Sequence, residues 1–296
     1  EFSMSIMNDI SWVPALRTPF LNEFFDAVTL VGYPLFLILF LAFGYFFFRS
    51  KSFYHAAILL IGAGLLNSLL KDIYQDPRPA AEFALDSRTG HSYGWPSGHA
   101  QIAVVLWGFL AYEIRQKWAS LAAVIIIALI CASRVYLGVH DVGDVLGGLV
   151  IGTACLVFYI WAINHQGLRA LAAQIGDRGV LLALLAVHII YLMFYPSHAH
   201  HEAPVWFVGT MLGWVAARSL MRQQEVDLPG PIAVQFLIAS AATAIAFALM
   251  LATTRLPASM AINEQIAMPV NYAFGVIYVF LQSWGMPRLI GFFSRR

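Results

Sequence analysis

The stretch SRVYLGVHDVGD, residues 133–144, joins two long apolar runs and carries an arginine, a histidine and two aspartates. Its flanks decide the fold: residues 118–137 and 142–163 each supply about 20 mostly apolar residues, the length needed to cross a bilayer. Ionisable side chains at such a place are costly and mark functional positions. If 140–144 are helical, Asp144 stands at i+4 from His140 and shares its face, whereas Asp141 at i+1 points elsewhere. A carboxylate bonded to one imidazole nitrogen fixes the tautomer and leaves the other nitrogen's lone pair free for attack, so His140 reads as a nucleophile with Asp144 as its partner. Asp141 is expected to tolerate change better. The competing reading is structural, an ion pair of Arg134 with Asp141 or Asp144.

The rest of the chain is as apolar as these flanks. Of 296 residues, 60% are hydrophobic and only 11% charged, which places the protein in the membrane. The expected class is all-α, a polytopic transmembrane bundle of about nine spans near 25–48, 53–73, 98–115, 118–137, 142–163, 179–195, 203–220, 231–252 and 268–287. Residues 4–22 look like an interfacial segment, and Glu1-Phe2-Ser3 ahead of Met4 looks like a cloning remnant, with no cleavable signal expected. The domain reading is an N-terminal surface segment (1–24), a five-span catalytic core (25–163), a cytoplasmic connector (164–178) and a four-span region of unassigned role (179–296). Net charge is +1 with no basic cluster, which excludes nucleic acid as a partner and leaves the lipid bilayer. Cys131 and Cys155 fall inside spans and are expected to be buried without a disulfide.

Basic residues orient the bundle. Arg49, Lys51, Arg115, Lys117, Arg169, Arg178, Arg218, Arg222, Arg288, Arg295 and Arg296 fall on one side and outnumber Arg17, Lys71, Arg78, Arg88, Arg134 and Arg255 on the other. The first side is read as the cytoplasm, with the N-terminus outside and the C-terminus inside.

Two further segments on the non-cytoplasmic side carry charge or imidazole. In KDIYQDPRP (71–79), Lys71 ends the second span, and Arg78 sits between Pro77 and Pro79 on a stiff, extended chain. A cation at mid-bilayer costs roughly 2.5–3.5 kcal/mol on insertion scales, although a snorkelling lysine and an interfacial arginine are the bland account. In GWPSGHAQ (94–101), a Pro96-Ser97-Gly98 turn feeds a helix N-terminus, whose free N–H groups and glycine suit an anion, with Ser97 as an added donor. His99 faces the same anion and can give a proton to a departing oxygen. A helix cap with an interfacial histidine is the alternative there.

Together, Lys71…Arg78-Pro79, Pro96-Ser97-Gly98-His99 and Ser133-Arg134…His140…Asp144 resemble, in order and spacing, the three-part signature of the type-2 phosphatidic acid phosphatase family, over about residues 53–160. The spans favour its membrane branch over the soluble vanadium haloperoxidases. The resemblance implies a lipid phosphatase in which Lys71, Arg78 and Arg134, with Ser97 and the Gly98 backbone, bind the phosphate. It implies a phosphohistidine at His140, orientation of that ring by Asp144, and proton transfer by His99. No metal and no cofactor are expected, because the cationic clamp supplies the charge stabilisation. The implied substrate class is a membrane lipid phosphate, and PRP followed by YGWPSGHAQ looks most like the polyprenyl or dolichyl diphosphate phosphatases. Phosphatidate, phosphatidylglycerol phosphate, sphingosine phosphate and sugar phosphates stay open. So do phosphoryl transfer to a lipid or sugar acceptor, and a transporter or scaffold with a degenerate site. His198, His200, His201 and Glu202 fit no zinc spacing and are read as a solvated loop. Asn67, four residues before Lys71, is a candidate support for that lysine.

Overall fold

The computed structural model describes residues 7–48, 50–89, 92–176 and 230–259, with the isolated positions 179, 182, 186 and 228. The expected spans 179–195, 203–220 and 268–287 and the 198–202 loop lie outside these residues or are only touched by them. Described helices are α1 (Pro19–Leu30), α2 (Pro34–Phe47), α3 (Ser50–Tyr74), α4 (Gly98–Ile114), α5 (Lys117–Tyr136), α6 (Val142–Asn164) and α7 (Ile232–Ser259). Short 3₁₀ turns lie at Val13–Leu16, Ala81–Phe83 and Ser87–Thr89. By length and apolarity α3, α5 and α6 can each cross a bilayer, and the α1–α2 pair can form a fourth, bent crossing.

Two expectations from the sequence change. The run 25–48 is not one straight span: α1 and α2 meet at 51°. Gly32-Tyr33-Pro34 explains the break, since proline lacks the N–H that would continue the helix and pushes Tyr33 out of helical geometry. Gly32 N and Tyr33 N close the end of α1 on the Thr29 and Leu30 carbonyls, and Leu37 N opens α2 on the Tyr33 carbonyl. The N-terminal segment is not merely interfacial either. Thr18 caps α1 by accepting from Leu21 N at 3.2 Å, and Ile10 and Val13 are buried, although Trp12, Leu16 and Phe20 stay exposed. At 17 residues, α4 is shorter than the about 20 that a full crossing takes.

The chain divides into two compact units. The first holds residues 1–37 and 62–162 and contains every motif. Helix α4 is well enclosed, with Ala100, Ala103, Val105, Leu106 and Phe109 buried. It packs on α5, and α5 on α1. Helix α6 approaches α4 through Gly148 and Gly152: a Cβ on Gly148 would lie 2.5 Å from the Ser97 carbonyl oxygen, and one on Gly152 2.7 Å from that of Gln101. Lipid gives apolar faces little reason to associate, so such close backbone contact through small residues carries the packing. Asp144, Gly148 and Gly152 recur at i, i+4 and i+8, so the face that packs on α4 also holds the acidic side chain. The opposite face of α6, with Val150, Val157 and Phe158, is exposed as a lipid-facing surface should be. In the second unit (38–61 and 163–296), Phe46, Ala239 and Ala242 form a small core with Phe43 and Phe47 around it.

Antiparallel alternation puts the C-terminal ends of α3 and α5 and the N-terminal ends of α4 and α6 at one end of the first unit. The three motifs are the connections at that end.

Candidate active site

The third motif is built by a turn and a helix cap. Gly138 takes φ +70°, and a Cβ there would lie 1.9 Å from the Phe83 carbonyl oxygen, so only glycine fits. The chain then enters α6 through a reciprocal capping box. Asp141 Oδ1 accepts from Asp144 N at 2.7 Å, and Asp144 Oδ2 accepts from Asp141 N at 3.3 Å. Asp141 is therefore a buried cap and not the bystander expected from its i+1 position.

Asp144 Oδ2 also lies 2.8 Å from His140 Nδ1, with both side chains almost fully buried. This places the proton on Nδ1 and the lone pair on Nε2. That lone pair faces Arg78, whose Nη1 is 3.2 Å from Nε2. Burial first, then the positive charges of Arg78, Lys71 and Arg134, holds the His140 imidazole well below its usual range and so keeps it neutral.

The first motif is oriented by carbonyls. Arg78 donates from Nε to the Ser92 carbonyl at 2.6 Å, from Nη1 to that of Val139 at 2.7 Å and from Nη2 to Ser92 Oγ at 2.7 Å. Lys71 donates from Nζ to the Tyr93 carbonyl and to that of Gly94 at 3.0 Å. Both cations thereby anchor the segment leading into the second motif.

In that motif the Ser97 amide donates to the Asp144 carbonyl at 2.9 Å, which ties α4 to α6 and removes one of the N–H groups expected to face an anion. Ser97 Oγ is fully buried and has no hydrogen-bond partner among the described residues, as does His99 Nε2. Asn67 does not reach Lys71. Its Nδ2 donates to the Pro96 carbonyl at 3.0 Å and to Gln101 Oε1 at 2.9 Å, and Gln101 Nε2 holds the Ala63 carbonyl at 2.8 Å, so Asn67 supports the turn before Gly98 instead.

Arg134 is fully buried and pairs with neither Asp141 nor Asp144. Its Nη1 donates to Thr29 Oγ1 and to Asp86 Oδ2 at 3.1 Å. Asp86 also accepts from Tyr33 Oη at 2.5 Å and from Arg88 Nε at 2.8 Å. Burial alone would raise the Asp86 carboxyl, but the bonds from Tyr33 and Arg88 and the charge of Arg134 lower it to about 2. Asp86 and Tyr33 escaped the sequence reading. The available signal was the buried cation itself, since Arg134 needs a counter-ion and Asp86 lies in the loop between the first two motifs.

Lys71, Arg78, Arg134, His99 and Arg88 thus belong to one end of one unit, and four of the five act electrostatically on His140. Such a set can hold an anion against a neutral, oriented imidazole.

Residues 51–167, which contain all of these motif residues, match the PAP2 superfamily model. Phosphatidylglycerophosphatase B of Bacillus subtilis is 34% identical over 158 residues, or 49% of this chain and 75% of that protein. Dolichyldiphosphatase of Saccharomyces cerevisiae is 29% identical over 157 residues, covering 48% of this chain and 60% of that protein, so less than two thirds of it is spanned. Among solved structures, a transmembrane PAP2-type phosphatidylglycerolphosphate phosphatase from Bacillus subtilis is 30% identical with a TM-score of 0.48, over 54% of this chain and 85% of that one. With the three motifs inside the matched segment, the chain belongs to the PAP2 superfamily.

Proposed function

We propose that this protein is a metal-independent phosphatase of membrane lipid phosphates that works through a phosphohistidine on His140. One observation carries the reading: His140 Nδ1 is held by Asp144 at 2.8 Å while Nε2 faces the Arg78 guanidinium. The Nε2 lone pair attacks phosphorus as Arg78 Nη1 turns from the imidazole to a phosphate oxygen. The P–O bond to the lipid, or to the rest of a diphosphate, breaks, and the leaving oxygen takes a proton from His99. Water then attacks the phosphohistidine, His99 accepts its proton, and inorganic phosphate leaves. Lys71, Arg78 and Arg134, with Ser97 and the Gly98 backbone, stabilise the charge on the non-bridging oxygens throughout.

An isoprenoid diphosphate is the favoured substrate, supported by YGWPSGHAQ and by the likeness to dolichyldiphosphatase. Phosphatidylglycerol phosphate is the competing one, on the likeness to phosphatidylglycerophosphatase B. The site opens on the non-cytoplasmic side, with the N-terminus outside and the C-terminus inside, as the distribution of lysine and arginine supports.

The test is phosphate release by purified protein from a panel of isoprenoid diphosphate, phosphatidylglycerol phosphate, phosphatidate and sphingosine phosphate. Free phosphate should appear without any added acceptor, which separates hydrolysis from transfer. An alkaline quench should trap phosphorus on Nε2 of His140, and His140→Ala should release none. Turnover surviving in that variant, or activity abolished by EDTA and restored by magnesium, would refute the mechanism.

A further inference from the structure

Asp86 lies outside all three motifs, yet it is the only carboxylate within ion-pair distance of Arg134 among the described residues. It is 2% exposed and sits in the loop between α3 and α4, just ahead of the 3₁₀ turn Ser87–Thr89. Four donors converge on its carboxylate: Arg134 Nη1, Tyr33 Oη, Arg88 Nε and the Arg88 amide. Tyr33 in turn touches the second motif. Its ring meets that of His99 edge-on at 4.6 Å between centroids, and the Arg88 and Arg134 guanidinium carbons lie 4.9 and 5.9 Å from its centre. A Cβ on Gly32 would lie 2.4 Å from His99 Cδ2, so the break between α1 and α2 is fitted closely around that imidazole.

The bonds to Arg134 are directional. Thr29 and Asp86 both engage Nη1 and so fix the plane of the guanidinium, and Nε has no hydrogen-bond partner among the described residues. A guanidinium with five donors in a rigid fork is useful to a phosphate only in one orientation. We infer that Asp86 and Tyr33 form a positioning pair: Asp86 orients Arg134 toward the phosphate oxygens, and Tyr33, held by Asp86, fixes the His99 ring toward the leaving oxygen. The inference rests on the phosphatase reading above and adds two residues that its motifs do not contain. Neither residue touches substrate; each acts through a group that does.

The pair predicts different signatures for its two ends. Displacing a reacting or binding group by about 1 Å costs on the order of 100-fold, so Asp86→Asn should lower kcat/KM by about that factor. Because Arg134 binds product as well as substrate, the same variant should raise the inhibition constant for inorganic phosphate. Asp86→Glu, which keeps the charge, should recover part of both. Tyr33→Phe removes one hydrogen bond and should weaken phosphate inhibition by about 3- to 10-fold. Tyr33→Leu, which removes the ring beside His99, should lower kcat most for substrates with poor leaving groups and move the pH profile of kcat.

If Asp86→Asn does not fold in detergent, Tyr33→Phe and Tyr33→Leu decide the matter alone. Wild-type phosphate inhibition in folded Asp86→Asn and Tyr33→Phe, together with an unmoved pH profile in Tyr33→Leu, overturns the inference while an inactive His140→Ala leaves the phosphatase reading intact. Turnover in His140→Ala removes that reading first, whatever Asp86 does.

Discussion

Replacing Asp144 by asparagine isolates the charge on the carboxylate from its shape. In the native site, Oδ2 takes both His140 Nδ1 at 2.8 Å and the Asp141 amide at 3.3 Å, and the His140 and Asp144 side chains are 2% and 1% exposed. In the proposed mechanism, attack by Nε2 places a positive charge on the ring whose Nδ1 lies 2.8 Å from Asp144 Oδ2, so that the charge centres are roughly 4 Å apart. At an effective dielectric of about 20, opposite charges at that distance gain about 4 kcal/mol. Asparagine cannot supply this, so kcat should fall about a thousandfold. If its Nδ2 turns toward Nδ1, the lone pair moves to the wrong nitrogen and the loss deepens.

Binding should behave differently. The proposed clamp on the ground-state phosphate is untouched, and removing a negative charge beside an anion cannot weaken binding, so KM should stay level or fall. Stability should drop by less than about 1 kcal/mol, since asparagine can still accept the Asp141 amide in the capping box. The assay is phosphate release at saturating substrate, with rapid mixing and alkaline quench to follow the phosphoenzyme. Formation, not breakdown, should be the slowed step. A folded Asp144→Asn protein with kcat within about tenfold of wild type would show that the carboxylate does not stabilise the imidazolium, because tenfold is only about 1.4 kcal/mol.

Asp141→Ala loses the bond to Asp144 N and should cost about 0.5–2 kcal/mol in thermal unfolding, with turnover falling because the cap sets the position of Asp144; Asp141→Ser should restore most of both. Gly148→Ala forces a Cβ against the Ser97 carbonyl and should destabilise by about 1–3 kcal/mol, whereas Gly62→Ala in α3, with nothing within 4 Å, should be neutral or stabilising in the same melt. The acid limb of kcat/KM assigned to His140 should lie well below pH 6.5, since its pKa is lowered by burial and the neighbouring cations, and Arg78→Gln should move that limb upward by removing one of them. The same depressed value means that stability holds above about pH 6.5 and declines as pH falls from there toward the folded value, because the unfolded chain binds the proton first.

What the sequence made legible was local. The His140–Asp144 pair follows from one helical turn, and the Pro96-Ser97-Gly98 turn does lead into α4 at Gly98. The ends of α3, α5 and α6 fall within a few residues of where apolar runs stop. Even the α1–α2 break was written in Gly32-Tyr33-Pro34, but an apolar window that counts residues without weighing proline passes straight over it. The unread part is long-range. Arg134 reaches Asp86 across 48 positions and Thr29 across 105, and no spacing rule connects such residues. Asn67 shows the converse error: nearness in sequence to Lys71 suggested a contact, whereas the helix turns its amide toward the Pro96 carbonyl.

The choice of partners explains how a crowded cationic site keeps its power over an anion. Among the described residues Lys71 and Arg78 have no carboxylate within ion-pair distance; the Tyr93, Gly94, Ser92 and Val139 carbonyls and Ser92 Oγ orient them. A carbonyl fixes the direction of an N–H without neutralising the charge behind it, so in the proposed mechanism both cations stay free to pair with a phosphate. Arg134 is held differently, by Asp86. It is the most deeply buried of the three, and an unpaired guanidinium there would carry a desolvation penalty of several kcal/mol. Pairing it through Nη1 relieves that penalty, while Nε has no hydrogen-bond partner among the described residues and is the donor the proposed mechanism gives to the substrate. The proposed clamp is therefore graded: among the described residues the deepest cation has a carboxylate at ion-pair distance, whereas the two nearer the connecting loop are held by neutral oxygens.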